Sequence, residues 1–498
     1  MSEFRVPLGP KTRTRPESPA ATAYNVACVL RLDERTRPWW TLAGACSGLF
    51  ILMLDSTVVA LALPSIREDI GATSTGLQWM MNGYLLVITA FVVTGGRLGD
   101  MFGRKRLFLI GLVLFALGSI VSATAGDQFA LICGRALQGL GAAPMLSLSL
   151  AIVCHAFPAD TQARALGIWA GISAVALGLG PLVGGVLVEL DWRAIFWINL
   201  PIAAIGIAIV WWAAPESTDP GSGTRVDFRG LIALAAGLTG VVLALVQAED
   251  WADWLVAALF LVGLASLYAF WRVEHRVEEP IVDFSLFRNG PYLGASAAAF
   301  ALVGAYWSVM FFQPQYLQEV RDHSAVVAGL IVMPITVPMV FVSPFSGRLI
   351  ARFGARLLMT VGMALGALGL LVLTRIGPDS SYALLFAGYL PFGVALGLVY
   401  APMSTAAMAA MPATKVGIAS GVLAMTRVMA GTVALAVVGA VFAAMLAGGR
   451  GFADAVGGST WVLVALVAVG AVLTWMLVRD PDQSPAPPHD RNRHFHLH

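Results

Sequence analysis

Long apolar runs, each closed off by a few polar or charged residues, repeat from Trp39 to Val478. The apolar positions run on instead of alternating, and Ala, Leu and Gly dominate them. That pattern predicts helices and not a barrel. A helix needs roughly 20 mostly apolar residues to cross a bilayer. Fourteen segments qualify, at residues 39–64, 77–97, 107–125, 128–154, 164–189, 194–214, 230–248, 253–271, 291–317, 325–347, 356–374, 382–410, 417–446 and 459–478. The stretches between them are short, so no soluble catalytic domain fits. Two longer polar stretches, Pro215–Arg229 and Arg272–Asn289, flank spans seven and eight. The expected divisions are a tail over 1–38, a six-helix bundle over 39–214, linkers and two extra helices over 215–290, a second bundle over 291–478 and a tail from 479.

Between spans two and three lies Gly96–Arg106, GRLGDMFGRKR, which reads as a charged hairpin loop. A weaker copy, Gly347–Arg356, GRLIARFGAR, lies 251 residues later between two further spans. It keeps the Gly, Arg-Leu and Phe-Gly positions and ends on Arg, but has Ala351 in place of Asp100. Two such loops predict a duplicated bundle. Gly96, Gly99 and Gly103 allow a tight turn and close helix approach. Asp100 is suited to capping a helix start or pairing with an Arg. A loop that only set topology would need the basic residues alone. Gly96, Asp100, Gly103 and Arg104 are therefore read as a conformational latch.

Composition agrees with a membrane protein: 58% of residues are apolar, 12% are charged and mean hydropathy is +0.79. Lys and Arg settle the orientation, because they concentrate on the cytoplasmic side. With the first tail inside, the inner segments hold 24, the outer ones 5 and the spans 2 of the 31. Both tails and both repeated loops then face the cytoplasm, and the halves are parallel repeats. The four cysteines have no metal-ligand spacing, the late histidines belong to a solvated tail, and no metal site is expected. The absence of a nucleotide-binding motif argues against ATP drive. Neither an enzyme nor a nucleic-acid partner is indicated.

An ionisable residue inside a membrane is costly and calls for a reason. Three stand out: Asp55 in span one, Arg135 in span four and Arg427 in span thirteen. Asp55 lies nine residues before Pro64, roughly 13 Å deep, and Arg135 seven residues past Gln128, roughly 10 Å deep. Opposite charges at similar depth are expected to communicate across a polar cavity, directly or through water. Arg427 has no acidic partner in a neighbouring span; carbonyls, water, Gln313 and Gln315 are its candidate partners. In span five, Gly180-Pro181 loosens the helix, while Gly184 and Gly185 allow close packing. Candidate substrate contacts are Trp79, Asn82, Tyr84, Gln138, Asn199, Tyr306, Trp307, Gln313, Gln315, Tyr389, Tyr400 and Arg427.

Together these motifs resemble the major facilitator superfamily, and within it the fourteen-span drug:proton antiporters (the DHA2 family). The loop 96–106 is similar to the superfamily's signature loop, with Met101 where a basic residue is usual. LDSTVVALALPSI at 54–66 is similar to the group's first-helix motif, and Arg135, Gln138, Gly139 and Gly141 to its fourth-helix motif. Residues 176–185 resemble the antiporter motif of helix five, with Ala176 replacing its first Gly. WRAIFWINLPI at 192–202 and YLQEV at 316–320 also resemble this group. The resemblance covers about residues 39–478.

It implies an all-helical major facilitator fold that works by alternating access in the cytoplasmic membrane of a bacterium. Asp55 and Arg135 map onto proton coupling, Asp100 onto closure of the cytoplasmic side, and Gly180, Pro181, Gly184 and Gly185 onto export. The expected activity is proton-coupled efflux of small, mostly apolar compounds by a monomer without cofactors. A dedicated exporter of one metabolite or self-made antibiotic, and a membrane sensor that transports nothing, are the alternatives.

Overall fold

A computed structural model describes residues 33, 35–218, 227–248, 251–277, 280–412 and 415–479. The readings of both tails, and of part of the Pro215–Arg229 linker, fall largely outside these residues. Among the described residues there is no strand, and fourteen helices are long and apolar enough to cross a membrane. They are α1 Arg37–Ile70, α2 Ser74–Phe102, α3 Arg104–Ala123, α4 Gln128–Ala156, α5 Arg164–Leu190, α6 Ala194–Ala213, α7 Phe228–Val246, α8 Asp253–Glu274, α9 Gly290–Val320, α10 Ala325–Val342, α11 Ala355–Leu373, α12 Tyr382–Ala409, α13 Ile418–Ala447 and α14 Phe452–Leu477.

The helix ends follow local chemistry. Side-chain oxygens of Thr73, Asp127, Asp227, Asn289, Ser324 and Ser381 accept N–H groups in the first turns of α2, α4, α7, α9, α10 and α12. Such caps satisfy donors that have no partner inside the helix. Pro64 does not stop α1, which runs to Ile70 and ends at Gly71 in the left-handed conformation. Neighbouring helices can satisfy the backbone around a proline within a membrane helix. Here the Gln318 side chain of α9 donates to the Leu61 carbonyl in the turn before it, at 3.1 Å.

The expected loop at 96–106 is shorter than a hairpin. α2 continues to Phe102 and α3 begins at Arg104, so Gly103 alone, at φ +113°, makes the break. The second copy folds alike: a two-turn helix over Ser346–Phe353, then Gly354 at φ +79°, then α11. Both breaks sit where backbone geometry favours glycine. Glu216, beyond α6, takes the Lys105 and Arg106 N–H groups at 3.0 and 3.2 Å and so caps α3 across the chain.

Helices α1–α6 form one packed group and α9–α14 another. Within the first, α3 and α4 meet backbone to backbone through Gly111, Gly118, Gly134 and Gly141. The groups meet along α5–α10, α2–α13 and α1–α9. The extra helices pair with each other, and α7 lies against α2 and α13. Trp79 and Leu86 of α2, Val242 and Val246 of α7, and Ala436 of α13 form a separate apolar cluster at that seam. Glu274 at the end of α8 is buried and accepts the Val282 N–H at 2.9 Å. Lys415 pairs with Asp283 at 2.8 Å, tying the segment before α9 to the start of α13. Burial opposes ionisation of Asp283, yet Lys415 and Ser285 outweigh it and hold the carboxyl below its usual range.

On the face that carries Gly71, polar contacts cross between the groups. Arg67 Nη1 lies 2.8 Å from both carboxylate oxygens of Glu319. The Val326 N–H donates to Glu189 at 3.3 Å.

Candidate functional site

Asp55 and Arg135 form a direct ion pair, with Arg135 Nη1 donating to Asp55 Oδ2 at 2.6 Å. Both side chains have no solvent exposure. Asp55 is fifteen residues from the end of α1, about 22 Å along the axis, deeper than Pro64 as an end point suggested. Two α-helical residues three apart share a face, so Gln138 stands beside Arg135 on α4 and accepts from Nη1 at 2.8 Å. Gln138 Nε2 then donates to Ser119 Oγ of α3 at 2.8 Å and to Asp55 Oδ1 at 3.3 Å. Asn199 of α6 donates to the same Asp55 oxygen at 3.2 Å and to Ser119 at 3.3 Å. Four helices thus bring five polar side chains to one buried point. The Tyr84 ring from α2 covers the guanidinium at 4.1 Å.

The carboxylate is well supplied and the guanidinium is not. Arg135 Nε and Nη2 have no hydrogen-bond acceptor among the described residues. A charge taken out of water needs both a partner and satisfied hydrogen bonds. Arg135 is therefore held chiefly by Asp55, Gln138 and the Tyr84 ring. Removing the negative charge from Asp55 takes away its principal restraint.

Beside this network lies a central cavity of about 110 Å³, far above the roughly 10–15 Å³ that one water needs. Its wall comes from both helix groups and is mostly aliphatic. Tyr84 and Ser56, the latter next to Asp55 in sequence, belong to the wall, so one side-chain layer separates cavity from ion pair. Tyr306, Trp307, Tyr400 and Arg427 line it as well.

Of the other candidate contacts, Gln138 and Asn199 belong to the ion-pair network. Trp79 sits at the α7 seam, and Asn82 is fully buried with no partner for its amide among the described residues. Gln313 accepts from the Tyr389 hydroxyl, and Gln315 donates to the Phe311 carbonyl. These last residues pack within the helix groups and do not line the cavity. Arg427 was expected near Gln313 and Gln315. Instead it donates to Ser404 Oγ and lies over the Tyr400 ring at 4.9 Å, both on α12. Ser119 and Ser404 were not singled out in the sequence: each donates to its own helix, to the Phe115 and Tyr400 carbonyls, as a serine in an apolar helix usually does, and nothing in the chain marks that their oxygens also accept from other helices.

The helix-five glycines sit where α1, α5 and α10 converge. A Cβ at Gly180 would overlap the Thr57 side chain, one at Gly184 would lie 3.0 Å from Val58 Cα, and one at Gly185 2.7 Å from Val326 Cα. The Pro181 carbonyl packs on Gly329 of α10. In the signature segment, Asp100 pairs with Arg104 at 2.6 Å, and Gly96 faces Ser147 of α4.

The sequence profile of the Major Facilitator Superfamily matches residues 45–435. The chain is 34% identical over 410 residues to the multidrug resistance protein Stp of Mycobacterium tuberculosis, covering 82% of this chain and 76% of that one. It is 30% identical over 487 residues to the puromycin resistance protein pur8 of Streptomyces alboniger, covering 93% and 95%. The tetracenomycin C resistance and export protein of Streptomyces glaucescens is 30% identical over 430 residues, covering 86% and 79%. Among solved structures, a D-xylose-proton symporter superposes with a TM-score of 0.64 at 15% identity, covering 88% and 97%, a likeness of fold. With fourteen helices among the described residues long and apolar enough to cross a membrane, in two groups of six plus a pair, the chain belongs to the Major Facilitator Superfamily and is a transporter, not an enzyme.

Proposed function

We propose that this protein exports small, mostly apolar compounds in exchange for protons, by alternating access between bundles 39–214 and 291–478. The observation that carries the reading is the fully buried Asp55–Arg135 pair, one side-chain layer from an apolar cavity shared by both helix groups. Intramembrane charges that face a bundle interior mark ion pathways. Here a proton arriving at Asp55 removes the negative charge, Arg135 loses its main partner, and Tyr84 and Ser56 pass the rearrangement to the cavity wall. Loss of the proton re-forms the pair. Occupancy of the cavity and protonation of Asp55 then exclude one another, which is the requirement for exchange.

The distribution of Lys and Arg puts the Gly71 face outside and the Gly103 face, with both termini, in the cytoplasm of a bacterial cell. On this assignment the Arg67–Glu319 pair and the glycine contacts of α5 hold the outer gate shut. The Gly103 break and Asp100 belong to the inner gate. The protein works as a monomer, with the proton gradient as its energy source and no cofactor. Relatives named for resistance to puromycin and for export of tetracenomycin C favour a second reading, export of one antibiotic.

Accumulation assays in efflux-deficient cells test the proposal. Wild type should lower the accumulation of several unrelated apolar compounds, a protonophore should restore it, and Asp100→Ala should lose most of the effect at an unchanged membrane level. Activity on a single compound selects the dedicated exporter. Unchanged accumulation across the panel contradicts broad export and leaves either a dedicated exporter of a compound outside the panel or the non-transporting sensor.

A further inference from the structure

Among the described residues the cavity wall carries one charged side chain, Arg427, and no carboxylate. The other two intramembrane charges cancel, because Asp55 is matched by Arg135 at 2.6 Å. Among the described residues Arg427 has no acidic partner. Its Nη2 is bonded to the neutral Ser404 hydroxyl and its Cζ lies 4.9 Å from the centre of the Tyr400 ring. Its Nε is buried with no acceptor among the described residues. The hydroxyl of Tyr306, on α9 in the same wall, is likewise buried without a partner among them.

A cation and a hydroxyl, each short of an acceptor, thus border one otherwise aliphatic space. Burying a donor without an acceptor is costly, and burying an uncompensated charge costs more. A guanidinium is matched in geometry to a carboxylate and keeps its charge at any working pH. A cationic cargo would meet repulsion from Arg427 and find no carboxylate in the wall.

We propose that the cavity is an anion-receiving site: its preferred cargo joins an apolar body to an ionised acid, a carboxylate or an acidic phenol. The acid is received by Arg427, with Tyr306 as a neutral donor, and the apolar body by the aliphatic wall of Leu52, Met53, Leu177 and Val303. The inference rests on reading this cavity as the substrate site and adds the charge of what it takes. It also fixes one feature of the transport cycle. An anion exchanged for a proton carries net negative charge outward and positive charge inward, so a membrane potential that is negative inside assists export.

The test compares three probes on one scaffold: anthracene-9-carboxylate, its methyl ester and 9-anthracenemethylamine. Binding to purified full-length protein in nanodiscs is followed by probe anisotropy, with empty nanodiscs subtracted. Wild type should bind the carboxylate about tenfold tighter than the ester, and the amine weakest. Arg427→Gln should bring carboxylate and ester to equal affinity, while Arg427→Lys keeps part of the preference and Tyr306→Phe lowers it. Unchanged ester binding by Arg427→Gln shows that the variant is folded and the cavity intact. An equal carboxylate-to-ester ratio in wild type, a preference for the amine, or a ratio untouched by Arg427→Gln overturns the anion site. Ester binding that persists beside such a result leaves the cavity reading standing, whereas failure of all three probes to bind counts against both.

Discussion

Arg135→Ala should lower the stability of the folded protein by about 3–5 kcal/mol, the usual consequence of stranding one member of a buried ion pair. The geometry says why the loss falls at the upper end. Without Arg135, the Asp55 carboxylate keeps only Gln138 and Asn199, at 3.3 and 3.2 Å, and both bind the same oxygen. Oδ2 loses its 2.6 Å partner at a position with no solvent exposure. Asp55→Asn should cost less, because the isosteric amide oxygen can still accept from Arg135 Nη1, which also keeps the Gln138 oxygen at 2.8 Å. The double variant Asp55→Asn with Arg135→Ala removes both charges and should be more stable than Arg135→Ala alone. Thermal unfolding of the purified variants in detergent, read as a double-mutant cycle, measures this coupling. Additive single effects would mean that the two side chains do not hold each other.

The second large effect is expected at Gly141, where α3 and α4 touch. A Cβ there would lie 2.5 Å from the Gly111 carbonyl oxygen and 2.5 Å from the Phe115 nitrogen. Both neighbours are backbone, so no side chain can rotate away and the helices themselves must separate. Overpacking a tight core commonly costs about 1–3 kcal/mol, more when backbone has to move. Separation here would also pull Ser119, on α3, from Gln138, on α4, where they meet at 2.8 Å. Gly141→Ala should therefore lower the unfolding temperature, and Gly141→Val should prevent accumulation of folded protein. Gly126 is the control: a Cβ there meets nothing within 4 Å, and Gly126→Ala should leave the unfolding temperature unchanged. A Gly141→Val protein as stable as wild type would contradict close α3–α4 packing.

How much of this was legible in the chain varies by residue. The spans could be read because hydropathy dictates them, and their ends miss mainly where context overrides local signals. Pro64 reads as a stop, yet α1 runs through it beside Gln318. The 96–106 segment reads as a loop because it is charged, but charged residues continue a helix at a membrane surface, and only Gly103 breaks it. Asp55 and Arg135 could be paired by depth and sign alone. Their surroundings could not. Periodicity does not distinguish a helix face turned to a cavity from one turned to a neighbour. Hence Gln138 and Asn199, candidates for substrate contact, lie against the ion pair, while Gln313 is taken up by Tyr389. Glu216 caps α3 from more than a hundred residues away, a tertiary event that leaves no local trace.

Proton movement in everted membrane vesicles tests the central claim most directly. Vesicles are energised, loaded with a pH-sensitive dye and challenged with a compound the protein exports, for wild type and for Asp55→Asn at matched membrane levels. The account predicts substrate-evoked proton release from the lumen by wild type and none by Asp55→Asn, with substrate-for-substrate exchange retained in the variant. Undiminished proton release by Asp55→Asn would contradict it and remove the Asp55–Arg135 pair from the coupling path.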